Sequence, residues 1–293
     1  MRVKKLFLIS ACFVLSCSGP ENERPDWANI SSWVYQLQPS GSQTRESFIS
    51  DLAGTNFQVV VMDYSFDGTA DEEFTADEID EIKSSGKIVL CYISIGEAED
   101  YRWYWDPDWE TDPPDWLGPE NPDWPGNYLV RYWDPQWQAI IFQYLGKLES
   151  QGFDGFYLDK VDSYEDYEDS LAWAVDSMKA FVRAIADSFP GFLVVPQNGS
   201  DLLHDNSYLA AIDGQGNEDV YYMDDDPQDT TETALVVSNL KLATGAGKTV
   251  FVVDYCREPS NVEDFYNRAR ADGFVPYSTV RDLDSLVINP QDP

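Results

Sequence analysis

Short apolar runs that end in a polar or acidic residue recur along the chain, and a segment with helical spacing follows most of them. The runs are Trp33–Leu37, Val59–Asp63, Ile88–Ser94, Gly155–Asp159, Phe192–Asn198, Leu209–Asp213, Val250–Asp254 and Phe274–Ser278. Runs of this length bounded by turn signals read as buried parallel strands. Between the third and fourth, Trp137, Ile140, Ile141, Tyr144, Leu145 and Leu148 make one helix face that ends at Gly152. After the fourth, Leu171, Ala174, Met178, Phe181, Val182 and Ile185 do the same. Thr75-Ala76-Asp77-Glu78 and Ser260-Asn261-Val262-Glu263 both have the spacing of a capping box. Eight strands alternating with helices predict an α/β fold, a single (β/α)8 TIM barrel with a long Trp/Asp/Pro-rich loop after strand three. A doubly wound open sheet fits the local pattern too. The count of eight favours the barrel, and no Gly-x-Gly-x-x-Gly opens the first unit.

Charge narrows the chemistry. The chain has 293 residues, with 53 Asp and Glu against 19 Lys and Arg, and a formal net charge of −34. No basic stripe offsets this, which argues against nucleic acid as a partner. The one histidine, His204, lies in Leu-Leu-His-Asp-Asn beside no nucleophile motif. Ser-His-Asp, Cys-His and zinc chemistries would each have to be built around it, so carboxylates are the expected acids and bases, with no metal and no cofactor.

The first residues read as an address. Arg2, Lys4 and Lys5 precede an apolar stretch from Leu6 to Leu15, too short to span a bilayer, and Val14-Leu15-Ser16-Cys17 has the form of a bacterial lipobox. Residues 1–16 are then a lipoprotein signal peptide, 17–27 a short polar tether with lipidation at Cys17, and 28–293 the barrel domain. The protein is expected to be exported and lipid-anchored to the cell envelope, with no other membrane contact. An ordinary secretory signal peptide is the alternative. Without the leader, 16 basic residues face 53 acidic ones, a net −37. Cys91 and Cys256 then remain as internal thiols, expected to be free and buried.

Barrel chemistry sits at the carboxyl ends of the strands. Asp63, Asp159, Asp213 and Asp254 each end an apolar run, and Glu97 and Glu218 lie just beyond two of them. Alternation puts Gly155, Tyr157 and Asp159 on one strand face, and the bulky Phe156 and Leu158 on the face suited to the helix layer. Asp159 therefore points into an acidic mouth. Two such carboxylates across a cleft are the minimum equipment for glycosidic cleavage, although a strand-end Asp serves equally well as a helix cap. Seven of the ten Trp lie between Trp103 and Trp137, where Pro-Asp-Trp occurs three times. Indole faces stack on sugar rings, so this loop suits a carbohydrate cleft; most of these rings are expected simply to anchor it. Its Asp residues lack the spacing of a calcium loop.

Residues 152–162, Gly-Phe-Asp-Gly-Phe-Tyr-Leu-Asp-Lys-Val-Asp, resemble the fourth-strand signature of glycoside hydrolase family 114, the endo-α-1,4-polygalactosaminidases. Trp33–Leu37, Val61–Tyr64, Val89–Glu99, Trp116-Leu117-Gly118, Pro196–Gly199 and Gly216-Asn217-Glu218 agree with it, so the resemblance spreads from Trp33 to Ser278. It implies a barrel enzyme that cleaves α-1,4-linked galactosamine polymers with Asp159 and Glu218 as the catalytic pair. It also implies that Asp63, Tyr92, Glu97, Tyr157, Gln197, Asn198, Asp254 and Tyr255 line the sugar site. The partner would be a cationic polysaccharide, and the enzyme is expected to act as a monomer. Lys160, adjacent to Asp159, would lower that carboxyl's pKa if its ammonium lay close, making Asp159 the nucleophile and Glu218 the acid and base. The rivals are a non-catalytic glycan-binding lipoprotein, and a barrel glycosidase acting on a neutral α-glucan or another amino sugar.

Overall fold

A computed structural model describes residues 24–27, 29–168 and 170–293. The expected leader and Cys17 lie outside the described residues. Eight parallel strands carry the fold: β1 (Trp33–Tyr35), β2 (Val59–Met62), β3 (Ile88–Ser94), β4 (Gly155–Asp159), β5 (Leu193–Pro196), β6 (Gly214–Glu218), β7 (Thr249–Asp254) and β8 (Val275–Ser278). They pair in chain order as two arcs, β1 to β5 and β6 to β8. A parallel bridge between Gln197 and Gly216 joins the arcs on one side. On the other, the Trp33 indole N–H donates to the Val275 carbonyl at 3.0 Å. The result is the (β/α)8 barrel that the alternation predicts.

Seven helices follow the first seven strands: α1 (Arg45–Gly54), α2 (Ala76–Ser84), α3 (Pro135–Gln151), α4 (Ala174–Ser188), α5 (Asn206–Ala211), α6 (Thr230–Gly245) and α7 (Pro259–Asp272). The Thr75 capping box forms at α2. The one expected at Ser260 does not, because Pro259 already occupies the first turn and the cap is Glu258, which makes no side-chain cap bond. Beyond β8 the chain runs to Pro293 without a further helix.

The barrel interior is aromatic. Trp33 packs on Tyr35, Tyr157 and Phe251 with ring centroids 5.0–6.0 Å apart, and Tyr35 meets Tyr157 at 5.2 Å. The alternation of β4 is as expected: Tyr157 faces this interior, and Phe156 packs outward on Phe189 and Phe192. Strand six differs from its expected position. Leu209 and its neighbours belong to α5, and the strand is the polar Gly-Gln-Gly-Asn-Glu. Its composition follows from packing, since a Cβ on Gly216 would lie 2.2 Å from the Tyr157 hydroxyl. Only glycine lets β6 close against that ring.

Asp213 consequently precedes its strand and sits at the opposite end of the barrel from the mouth. It pairs there with Arg24 at 2.6 Å, while its carbonyl accepts from the Trp27 indole at 3.0 Å. Arg24 and Trp27, in the segment expected to be tether, thus lie against the barrel's base. Cys91 and Cys256 are free and buried. The loop after β3 contains a three-stranded antiparallel sheet, Glu97–Glu99, Leu117–Glu120 and Asn127–Val130. Its tryptophans knit together through Trp105–Trp109, Trp109–Trp116 and Trp116–Trp137 contacts at 5.0–5.2 Å.

Candidate active site

Parallel register brings the strand ends to one level: Ser94 is opposite Asp159, and Leu158 is opposite Pro196. A cleft of about 410 Å³ opens there, lined among others by Asp63, Tyr92, Glu97, Asp159, Gln197, Asn198, Glu218 and Tyr255. Eight of the ten residues expected at the site therefore meet in one place. The other two do not line it. Tyr157 lies beneath the floor, fully buried. Asp254 is 0% exposed and accepts backbone N–H bonds from Val220, Tyr221 and Tyr222 at 2.8–3.0 Å. A strand-end carboxylate used as a backbone clamp looks identical in sequence to one that faces substrate. Here the clamp holds the loop that leaves Glu218.

The two central carboxylates share one amide. Gln197 Nε2 donates to Asp159 Oδ1 at 3.0 Å and reaches Glu218 Oε1 at 3.3 Å. Sharing one nitrogen, these two oxygens lie no more than about 6 Å apart. Asp159 also accepts from the Tyr92 hydroxyl at 2.8 Å. Glu218 accepts from Asn198 Nδ2 at 3.0 Å and the Tyr255 hydroxyl at 2.7 Å.

Burial, and then the neighbouring Glu218 charge, push the Asp159 carboxyl up to about 7. This corrects the expected effect of Lys160. That residue adopts a left-handed backbone with φ 58°, and its ammonium pairs with Glu97 at 3.1 Å. Gly96 permits this backbone course, since its missing side chain leaves room for the Lys160 carbonyl and Ser163. Lys160 still acts on Asp159, but burial and Glu218 outweigh it. Asp159 is thus a carboxyl that keeps its proton up to about 7, facing Glu218 across the shared amide.

Sequence reasoning missed three residues of the cleft. Arg102, with its side chain 1% exposed, donates twice to Asp63 at 2.8 Å and pairs with Glu99 at 2.7 Å. Arg281 pairs with Asp219 at 3.0 Å. Asp162 lines the cleft beside the pair, its carboxyl raised to about 6 by burial and by Glu218. A cation's partners 39 or 62 residues away leave no local trace, whereas Asp162 stands within the signature itself and was quoted there without a role. Of the clustered tryptophans, Trp124 lines the cleft and remains 48% exposed. His204 is bonded to Asn239 at 3.0 Å, away from the pair. Among the described residues no group of three or more His, Cys, Asp or Glu could hold a metal ion, and no helix is long and apolar enough to cross a membrane.

The model of glycoside-hydrolase family GH114 matches residues 18–292. The chain belongs to that family. Its relatives include an uncharacterised protein of Methanocaldococcus jannaschii, 39% identical over 87% of this chain and 77% of the relative, and one of Thermotoga maritima, 33% identical over 95% and 90%. Two solved structures share the barrel of this GH114 glycoside hydrolase. The glycoside hydrolase domain of PelA from Pseudomonas aeruginosa superposes with a TM-score of 0.68 at 17% identity, over 88% of this chain and 98% of that one. Ega3 of Aspergillus fumigatus, solved in complex with galactosamine, gives 0.69 at 18% identity, over 91% and 96%.

Proposed function

We propose that this GH114 enzyme hydrolyses an α-1,4-linked, galactosamine-containing polysaccharide, with Asp159 and Glu218 as its catalytic pair. The observation that carries the reading is the cleft's charge. Nine carboxylates line it against three cations, Arg102, Lys160 and Arg281. Each cation is already paired, with Asp63 and Glu99, with Glu97, and with Asp219 and Asp224. A polymer with free amines would bring the missing positive charge. The galactosamine bound by Ega3, a protein of the same fold, agrees with this reading.

Facing oxygens no more than about 6 Å apart are nearer the roughly 5–5.5 Å of a retaining mechanism than the roughly 6.5–9.5 Å that an inverting one needs for its water. One carboxylate would attack the anomeric carbon as the other protonates the leaving oxygen, and water would then release the sugar. Cleavage of a partly deacetylated galactosaminogalactan should yield oligomers whose new reducing ends first appear as the α anomer by NMR. Asp159→Asn and Glu218→Gln should each abolish it. The roles within the pair are read by a substrate with an activated leaving group, on which the variant lacking only the acid recovers turnover. Binding without cleavage of any polymer would instead favour a glycan-binding lipoprotein, and cleavage of neutral glucans a different glycosidase. A second expectation concerns salt: activity on the deacetylated polymer should fall more steeply with ionic strength than activity on an acetylated one. Equal slopes would detach the acidic cleft from substrate capture. Export and lipidation at Cys17 are part of the same proposal, checked by membrane fractionation of wild type against Cys17→Ala.

A further inference from the structure

Where an eighth helix would stand, the chain forms a strap instead. Its Leu283 carbonyl accepts the N–H groups of Leu37 and Gln38, at 2.8 and 3.1 Å, which fixes the strap to the loop after β1. From this strap the Arg281 guanidinium makes a bidentate pair with Asp219, both bonds 3.0 Å, and its Nε donates to Asp224 at 3.0 Å. It also lies 4.2 Å over the Tyr255 ring, whose hydroxyl donates to Glu218.

We propose that Arg281 is a positioning residue for Glu218, acting through the Asp219 turn and the Tyr255 ring. The proposal rests on Glu218 belonging to the catalytic pair. Asp219 directly follows Glu218 and is left-handed, with φ 52°, as is Asp224 with φ 51°. Aspartate enters that region more readily than most residues, and here the contacts around it select it. Three contacts act on Asp219: its N–H bond to the Val253 carbonyl at 3.0 Å, the Gln228 amide that donates to its carbonyl at 2.9 Å, and the guanidinium, which alone holds its side chain; Asp254 clamps the residues that follow. The turn sets the direction in which Glu218 leaves β6, and the Tyr255 ring fixes the hydroxyl that bonds its Oε2. Arg281 thus reaches Glu218 along two independent routes without touching it. Lysine has neither the planar fork nor the stacking face for this double contact.

Arg281 also neutralises the carboxylate nearest to Glu218 in the chain. The titratable groups that face Glu218 are Tyr35 from β1, Tyr157 and Asp159 from β4, Asp162 from the turn after β4, Asp219 on its own loop, and Tyr255 after β7. These are acidic when they ionise, and the nearby cation, Lys160, acts on Asp159 and Asp162 while paired with Glu97. Freeing the Asp219 charge adds a further negative charge to this group, so the Asp159 carboxyl should hold its proton to a higher pH still.

The test uses the whole protein carrying Arg281→Ala or Arg281→Lys. Each is expected to lower kcat per folded molecule on the order of 10²-fold, the usual consequence of a misplacement of about 1 Å, with KM changed less than 3-fold. The alkaline limb of kcat/KM should move upward in Arg281→Ala. Adding Asp219→Asn to Arg281→Ala should return the limb toward its wild-type position while kcat stays low. Carbon-13 NMR of the Asp159 carboxyl, assigned by its loss in Asp159→Asn, reads the same titration without any substrate. An upward move in Arg281→Ala supports the inference even if the galactosamine polymer proves not to be the substrate. An unmoved titration with normal kcat per folded molecule, in the alanine or the lysine variant, overturns it and leaves Arg281 a structural residue only.

Discussion

Asp159→Asn should give an inactive enzyme that is more stable than the wild type at pH 8 and no more stable at pH 4. In the folded protein this carboxyl holds its proton up to about 7, against an ordinary value of 3.8. A folded-state pKa raised in this way contributes stability that is complete below the unfolded value and is lost as pH rises through the folded one. Above pH 7 the wild type therefore carries a penalty that asparagine, a mimic of the protonated form, does not. The full interval corresponds to about 4 kcal/mol, and relaxation of the coupled pair brings it to on the order of 2–4 kcal/mol. At about 2 °C per kcal/mol for a chain of this size, the melting temperature should rise by roughly 4–8 °C at pH 8. The asparagine must still meet Tyr92 and Gln197, and the Tyr92 hydroxyl, able to donate or accept, can follow the change. Equal melting shifts at pH 4 and pH 8 would mean that Asp159 is not the group held protonated, and the account of the pair would fall with it.

Gly216→Ala should destabilise the barrel more than any surface change. The added methyl would lie 2.2 Å from the Tyr157 hydroxyl and 2.7 Å from Cζ of the same ring. Tyr157 is enclosed by Trp33 and Tyr35 and cannot swing aside. Overpacking of this kind costs about 1–3 kcal/mol where neighbours yield, and here the rigid ring puts it at the upper end. Pairing the change with Tyr157→Phe removes the nearest atom and should restore part of the loss in a denaturant melt. Urea midpoints that match the wild type in Gly216→Ala would show that β6 and β4 are not held at this distance.

That same packing explains what could be read from the chain in advance. β4 was legible because its inward and outward faces differ in kind, Tyr157 and Asp159 against Phe156 and Leu158, and alternation alone orients the carboxylate. β6 was not, since Gly-Gln-Gly-Asn-Glu has no apolar run to find, and Leu209 with its neighbours drew the assignment to a helix instead. Glu218 was located through the family resemblance rather than through any pattern of its strand. Asp213 and Asp254 failed for a shared reason: a carboxylate beside an apolar run announces a strand end, but not which end, nor whether it meets substrate or backbone. Lys160 was adjacent to Asp159 in sequence, yet its left-handed backbone turns the ammonium to Glu97. Arg102 and Arg281 depend wholly on tertiary closure.

The docking of Arg24 and Trp27 on the barrel's base fixes where the chain enters the domain. Cys17 stands seven residues upstream of Arg24, a reach of no more than about 25 Å even fully extended. If Cys17 carries the proposed lipid, that reach places the attachment on the side of the barrel opposite the cleft. The cleft's mouth would then stay free of the anchor, open to a polymer from the far side of the barrel.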